Sequence, residues 1–312
     1  MTRGTALSGG ALLLIDKPSG MTSHDVVERA RRATGVKRIG HSGTLDPMAT
    51  GLLLLCAGGA ARLQGFFTGL DKSYEGIIRL GRATDTYDKE GEPQGEPRDA
   101  SRVSAADVEA AAAGFRGEFA QAPPPFSAKK VAGRKLYEMA RKGENVTVAP
   151  KTVRVSSLEF SPPVDGALPF RISCSSGTYI RSIAHDLGTR LSCGAHLESL
   201  RRTSIGRFRI EDAVPLEAFE RMSPEERLAE PHGLPLARVP LPFERVKLAS
   251  LEAWKVRRGQ GIPARSVAAR QGEWVALIGP SDDLIALGTV VASHKISLIQ
   301  PKIVLSDEAA SR

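Results

Sequence analysis

Gly40-His-Ser-Gly-Thr-Leu-Asp-Pro-Met-Ala-Thr-Gly51 is the most constrained segment of this chain. A glycine at each end, with Gly43 and Pro47 inside, makes regular structure unfavourable, so the segment is expected to be a shaped loop. It feeds the apolar run Leu52–Ala57, which reads as a buried strand. Asp46 is the loop's single carboxylate, and Pro47 stops it from continuing as a helix. Spacing alone leaves two readings. Asp46 either closes an Asp-Pro turn on nearby backbone amides or acts as a covalent nucleophile on an electron-poor carbon. A lone aspartate makes no zinc site, and no second acid stands nearby for glycosidase-type pairing.

Outward from the loop, Gly10–Ile15 is expected to be a buried strand ended by the turn Lys17-Pro-Ser-Gly20. Ser23 is a candidate cap for a helix with Val26, Val27 and Ala30 on its inner face, stopped by Gly35. Ser73–Leu80 reads as a strand ending at Gly81, and Ser104 with Asp107 is a capping signal for the Ala-rich stretch to Phe115. Thr178 is a candidate cap for a helix carrying Ile180, Ile183, Ala184, Leu187 and Leu191 on one face, with Asp186 and Arg190 as an i, i+4 pair. His185 on the same helix is expected to face solvent. Strands and helices mix without a regular βαβ alternation, which argues for an α+β fold.

Two stretches read as connectors. Gln121-Ala-Pro-Pro-Pro-Phe-Ser127 is too proline-rich for helix, and the basic stretch Lys129–Gly143 after it looks like an excursion from the sheet. Pro231, Pro235, Pro240 and Pro242 mark a second stretch as a linker. Beyond it, Glu244–Leu305 has the character of a small β-rich domain, with strands at Glu273–Ile278 and Leu284–Val291.

The balance of charge suggests a partner. A formal charge of +8 over 312 residues suits a polyanion, and cations cluster at Lys129, Lys130, Arg134 and Lys135 and again from Arg201 to Arg209. Aromatic residues are only 5% of the chain, which disfavours a single-strand binder that stacks many bases and favours a grip on folded RNA through phosphates. The apolar runs are too short to span a bilayer, and Met1–Gly10 lacks the apolar core of a signal peptide. Cys56, Cys174 and Cys193 have no metal-like spacing and are expected to be reduced thiols in a cytoplasmic protein.

The loop His41-Ser-Gly-Thr-Leu-Asp-Pro-Met-Ala-Thr-Gly51 resembles the signature G-H-x-G-x-L-D-P-x-A-x-G of TruB-type tRNA pseudouridine synthases. Distant segments resemble the family too: Leu13–Gly20 with its K-P-x-G turn, Lys72-Ser-Tyr74, Gly81-Arg-Ala-Thr-Asp-Thr86 and Pro124-Pro-Phe-Ser-Ala-Lys-Lys130. Gly177-Thr-Tyr-Ile-Arg181 and the block from Gly194-Ala-His196 to Leu200-Arg-Arg202 complete the match, in order, over roughly residues 10–210.

The resemblance implies a pseudouridine synthase fold over residues 10–240, a mixed, mainly antiparallel sheet with flanking helices and an RNA-binding insertion at about 121–152. It also implies a small PUA-like β-barrel over 244–305 that reaches the tRNA acceptor end; residues 1–9 and 306–312 are expected to be flexible tails. The implied reaction isomerises the T-loop uridine (U55) of tRNA after flipping it from the stack, with no cofactor and no metal. Asp46 is the implied nucleophile and Arg181 its partner; Tyr74 stacks on the base and is a candidate acceptor of its C5 proton, and Tyr179 packs nearby. Substrate contact is implied for His41, Thr44, Leu200, Lys17 and Arg202, and phosphate contact for Lys129, Lys130 and Arg134. The expected species is a monomer without an obligate protein partner. The rival reading is a tRNA-binding folding chaperone that needs no catalysis. A further rival is an enzyme of the same fold acting on a guide-RNA complex, which would carry extensions for partner proteins.

Overall fold

The computed structural model describes residues 10–127, 130–131, 134–135, 139, 148–265, 267–293 and 296–305. Two strands, β1 (Ala11–Lys17) and β2 (Thr50–Ala57), lie antiparallel in the register Ala11 opposite Ala57 through Lys17 opposite Gly51. Both read as unbroken apolar runs because both faces are covered. Leu13, Ile15, Leu53 and Leu55 pack on the helix α1 (Ser23–Thr34) through Val26, Val27 and Ala30. Leu12, Leu14, Leu52 and Leu54 face a second apolar cluster on the other side. The cap of α1 is Thr22, in a capping box with Asp25; the expected cap, Ser23, is one residue too far along and binds the active loop instead.

The sheet continues through β3 (Lys72–Leu80), β4 (Gly117–Gln121), β5 (Lys151–Phe160), β6 (Ala167–Cys174) and β7 (Ala195–Ile205). Its main path runs β1-β2-β7-β3-β6-β5-β4, antiparallel throughout except where Arg201 and Arg202 of β7 lie parallel to Thr50 and Gly51. That contact needs a glycine. Gly51 has φ of +102°, and a Cβ there would stand 2.3 Å from the Arg202 carbonyl oxygen. The helix α2 (Ala105–Ala112) carries the expected Ser104–Asp107 capping box, and α3 (Ile180–Arg190) buries Ile180, Ile183, Ala184 and Leu187 in the core beneath β3, β6 and β7.

Four expectations about local structure need correction. No side chain caps α3: Thr178 donates to the Ser175 carbonyl, while Gln121 reaches across to accept from the Tyr179 amide. Arg190 donates to the Ala111 carbonyl and lies over the Phe115 ring, where the local spacing suggested a pair with Asp186. His185 stacks face to face on Tyr87 and is only partly open to solvent. Finally, the proline-marked stretch is no linker. Gly233–Pro235 pairs antiparallel with β1, and Leu236 and Val239 are buried. Proline is tolerated on such an edge strand, where no ladder amide is required of it.

The C-terminal unit is a five-stranded sheet of Glu244–Lys247, Trp274–Ile278, Leu284–Ser293, Ile296–Val304 and Ile262–Pro263, joined in that order, with the helix Ser250–Arg257 against it. Its Ala276, Ile278, Leu284 and Leu287 share one apolar cluster with β1 and β2, and Phe66 meets Trp274 and Phe243 edge-on at the junction. Within the insertion, Lys130–Val131 pairs with Arg134–Lys135 as a short hairpin. Lys129 and both tails lie outside the described residues, as do the side chains of Lys130, Arg134 and Lys135. Among the described residues no helix is long and apolar enough to cross a membrane.

Candidate active site

The loop between Gly40 and β2 is held by side chains where regular structure would use a ladder. Leu45, Met48 and Ala49 are buried in the core and flank Asp46 on both sides. Ser23 donates its hydroxyl to the Leu45 carbonyl and accepts from the Leu45 amide. Two buried cations carry most of the remaining carbonyls. The Lys17 ammonium donates to the carbonyls of Ala49 at 2.7 Å, Pro18 at 2.9 Å and Pro47 at 3.2 Å. Arg202 donates through Nε to the Leu52 carbonyl at 2.7 Å and through its terminal nitrogens to Gly43 and Thr44. Buried carbonyls left without donors would cost about 1–3 kcal/mol each, so these two cations stabilise a conformation that the loop's backbone cannot support alone.

Both cations were expected to touch the substrate. Lys17 is fully buried and points into the loop, where burial pulls its pKa down to about 8 against the opposing pull of Asp46. Arg202 reaches one wall of the cavity but has its guanidinium occupied by loop carbonyls. Lys17 thus holds the loop from within, while Arg202 both holds the loop and lines one wall of the cavity.

Asp46 meets Arg181 in a forked pair, Nε to Oδ2 at 2.9 Å and a terminal nitrogen to Oδ1 at 3.3 Å. The Arg181 side chain is 8% exposed and that of Asp46 37%, so the carboxylate is clamped from the protein side and open toward the cavity. Arg181 is itself fixed from three directions. It donates to the carbonyls of Thr86 at 2.9 Å and Phe126 at 3.0 Å, and stands 3.4 Å from Asp88 Oδ2. A guanidinium suits this task because its planar fork keeps its charge at any physiological pH.

Asp88 escaped the reading of the sequence. It lies in a polar turn that looks solvent-exposed, yet it is buried, accepting from the Thr86 hydroxyl at 2.7 Å and the Glu90 amide at 3.1 Å. Its only signal in the sequence is its place just after the Thr84-Asp-Thr86 motif.

The cavity in front of Asp46 has a volume of about 470 Å³, ample for a nucleoside. Tyr74, Tyr179, Leu45, Ile180 and Leu200 form its apolar and aromatic walls, and Thr44, Lys72, Ser127 and Lys151 add polar groups. Burial pushes the Tyr74 phenol up from its ordinary pKa, opposed by the nearby Arg202, so at neutral pH it stays protonated. Lys72 donates to the carbonyls of Thr68 and Leu70, and burial together with Arg202 lowers its pKa to about 8.

His41 is not among the residues lining this cavity. Its Nδ1 accepts from the Gly43 amide at 3.4 Å, and burial, with Arg202 nearby, moves its pKa below the ordinary value. Of the predicted residues, the structure thus gathers Thr44, Asp46, Tyr74, Tyr179, Arg181, Leu200 and Arg202 around one cavity, with His41 and Lys17 outside its lining.

Residues 31–180 match the family model of the TruB family pseudouridylate synthase N-terminal domain. Residues 181–246 match that of the tRNA pseudouridylate synthase B C-terminal domain. The tRNA pseudouridine synthase B of Solibacter usitatus (strain Ellin6076) is 41% identical over 295 residues, covering 94% of this chain and 99% of that protein. The protein of the same name from Opitutus terrae is 50% identical over 209 residues, 67% of this chain and 86% of its own length. Among solved structures, a Cbf5-Nop10-Gar1 complex aligns with a TM-score of 0.70 at 24% identity, covering 95% of this chain and 85% of that one. An H/ACA RNP bound to a substrate RNA containing 2'-deoxyuridine aligns at 0.69 and 22%, covering 96% and 86%. These structures share the fold.

Proposed function

The chain belongs to the TruB family of pseudouridylate synthases, and on that premise we propose that it isomerises the T-loop uridine of tRNA, U55, with Asp46 as nucleophile. The observation that carries the site assignment is the clamped carboxylate: Asp46, open to a nucleoside-sized cavity and gripped from behind by the buried fork of Arg181. The protein is an isomerase acting on tRNA, in keeping with its relatives named tRNA pseudouridine synthase B.

The reaction breaks the N1–C1′ bond, turns the uracil and forms C5–C1′; the C5 proton leaves to solvent and N1 gains one. Atoms and electrons balance without a redox partner. Two routes use the same carboxylate. Asp46 either displaces uracil at C1′ to give a glycosyl ester, or adds to C6 of the base. In both, the fork of Arg181 holds the carboxylate aimed, a contribution of orientation. Tyr74 lines the cavity and offers its ring as a stacking wall for the uracil, with its hydroxyl the candidate acceptor of the C5 proton. Leu200 and Tyr179 complete the walls of the pocket, and Thr44 lies on its rim beside Asp46.

The uridine must leave its stack to enter this cavity, which costs a few kcal/mol. Support for meeting that cost comes from the net charge of +8 and from the cations Lys129, Lys130 and Arg134, which follow Ser127 closely in the sequence. The C-terminal unit is assigned to the acceptor end of the tRNA. We further read the enzyme as a monomer acting in the cytoplasm without a protein partner. The test is to map pseudouridine in an unmodified tRNA transcript after treatment with the enzyme. A single new site at U55 is expected; modification elsewhere, or none at U55, defeats the assignment.

A further inference from the structure

The turn of residues 84–92 supplies two of the groups that hold Arg181, the Thr86 carbonyl and Asp88, and Tyr87 stands between them. Tyr87 has φ of 66°, a left-handed conformation that a tyrosine adopts only at a cost. Its ring lies flat on the His185 imidazole, with centroids 3.8 Å apart and planes 13° from parallel. His185 is one helical turn beyond Arg181 on α3, so both side chains leave the same face of the helix. The buried Nδ1 of His185 has no hydrogen-bond partner among the described residues, so the ring contact is what accounts for the side chain's place.

We propose that the Tyr87–His185 stack positions Arg181, fastening the Thr86–Asp88 turn to the helix that carries the arginine and so keeping Asp46 aimed. The inference rests on the reading of Arg181 as the group that aims Asp46. The turn has other fastenings: Arg181 reaches it from α3 through the Thr86 carbonyl and Asp88, and the rest run to β7 or within the turn. The Leu197 amide donates to the Tyr87 carbonyl and the Lys89 amide to the Leu197 carbonyl, which tie the turn to β7. Within the turn, the Thr86 hydroxyl donates to Asp88. The stack adds a tie to α3 that does not run through the guanidinium. Without it the guanidinium alone holds the turn's Thr86 carbonyl and Asp88 toward α3 while it also grips Asp46, so any displacement of those groups is passed to the carboxylate. Misplacement of about 1 Å is enough to cost about a hundredfold in rate.

The experiment compares His185→Ala, Tyr87→Gly, His185→Phe and Arg181→Ala in the full chain, measuring the single-turnover rate on tRNA and the Kd for the same tRNA. Glycine takes φ of 66° without strain, so Tyr87→Gly removes the stack while relieving the backbone even if His185→Ala folds poorly. His185→Ala and Tyr87→Gly are expected to lower the rate by about ten- to a hundredfold with Kd within about twofold, and His185→Phe, which still stacks, to recover most of it. Turnover by Tyr87→Gly at the wild-type rate overturns the proposal, as does a loss in His185→Ala that His185→Phe leaves unrepaired. If Arg181→Ala itself turns over normally, it is the reading of Arg181 that fails; an inactive Arg181→Ala beside an unimpaired Tyr87→Gly removes the clamp alone.

Discussion

Replacing Arg181 by lysine keeps the positive charge and removes the fork. Arg181 makes five polar contacts: two with Asp46, one each with the Thr86 and Phe126 carbonyls, and one with Asp88. A lysine brings a single nitrogen with three protons, so at least two of the five are lost, and the bidentate grip on Asp46 is lost in every arrangement. Hydrogen bonds to charged groups contribute about 1.5 kcal/mol or more each, so two of them amount to about 3 kcal/mol. If that energy goes into holding Asp46 in its reactive orientation, the rate of the chemical step should fall about a hundredfold. The assay is single-turnover release of tritium from C5-labelled uridine in tRNA, with tRNA affinity measured in parallel. Affinity should stay within a few-fold, because Arg181 is buried and directed at protein groups. An Arg181→Lys variant that turns over at the wild-type rate would refute the argument that the fork aims the nucleophile. A Kd that rises by the same factor as the rate falls would instead make Arg181 an RNA contact.

Stability should depend on pH through the two buried lysines. Lys17 and Lys72 are lowered to about 8 in the folded state against 10.5 when free, so above pH 8 the unfolded chain holds more protons and stability rises with pH. The buried thiols act in the opposite sense: Cys56 and Cys174 are raised to about 12 and about 11, and stability is lost as free thiols ionise above about pH 9. The lysines contribute about 2 kcal/mol over pH 8 to 9 and the thiols remove somewhat less than 1, leaving a net gain of about 1 kcal/mol and then a plateau. Chemical denaturation at each pH reads this directly; Lys17→Met should halve the lysine contribution, and a steady fall from pH 8 to 9 would contradict it. Removing charge from Lys129, Lys130, Arg134 and Lys135 together should weaken tRNA binding and flatten its dependence on salt. An unchanged salt slope would take the insertion out of the phosphate contacts.

How much of this was legible in the sequence depended on whether a residue's partners are local. The runs Ala11–Ile15 and Leu52–Ala57 announce strands covered on both faces, and the Ser104–Asp107 box announces a helix start, because each is decided within a few residues. The Asp46 loop was legible through its long motif. Asp88 was not, because its burial comes from a guanidinium more than ninety positions away. Lys17 and Arg202 look like RNA-facing cations in a basic chain. A signal was present for Lys17: Leu13, Ile15 and Lys17 alternate on one face of β1, so a strand buried at the first two directs the third inward as well. The prolines at 231–242 misled because an edge strand tolerates them as readily as a linker does. His185 was read as solvent-facing because the Tyr87 ring that covers it comes from a distant turn.

The central claim is that Asp46 is the nucleophile of a uridine isomerisation. It is tested most directly by tritium release from C5-labelled uridine in an unmodified tRNA transcript, without added metal or cofactor, by wild type and Asp46→Asn. Wild type should release the label, and Asp46→Asn should release none while binding tRNA within about tenfold of wild type, or about 1.4 kcal/mol. Release by Asp46→Asn at a rate near that of wild type would contradict the account.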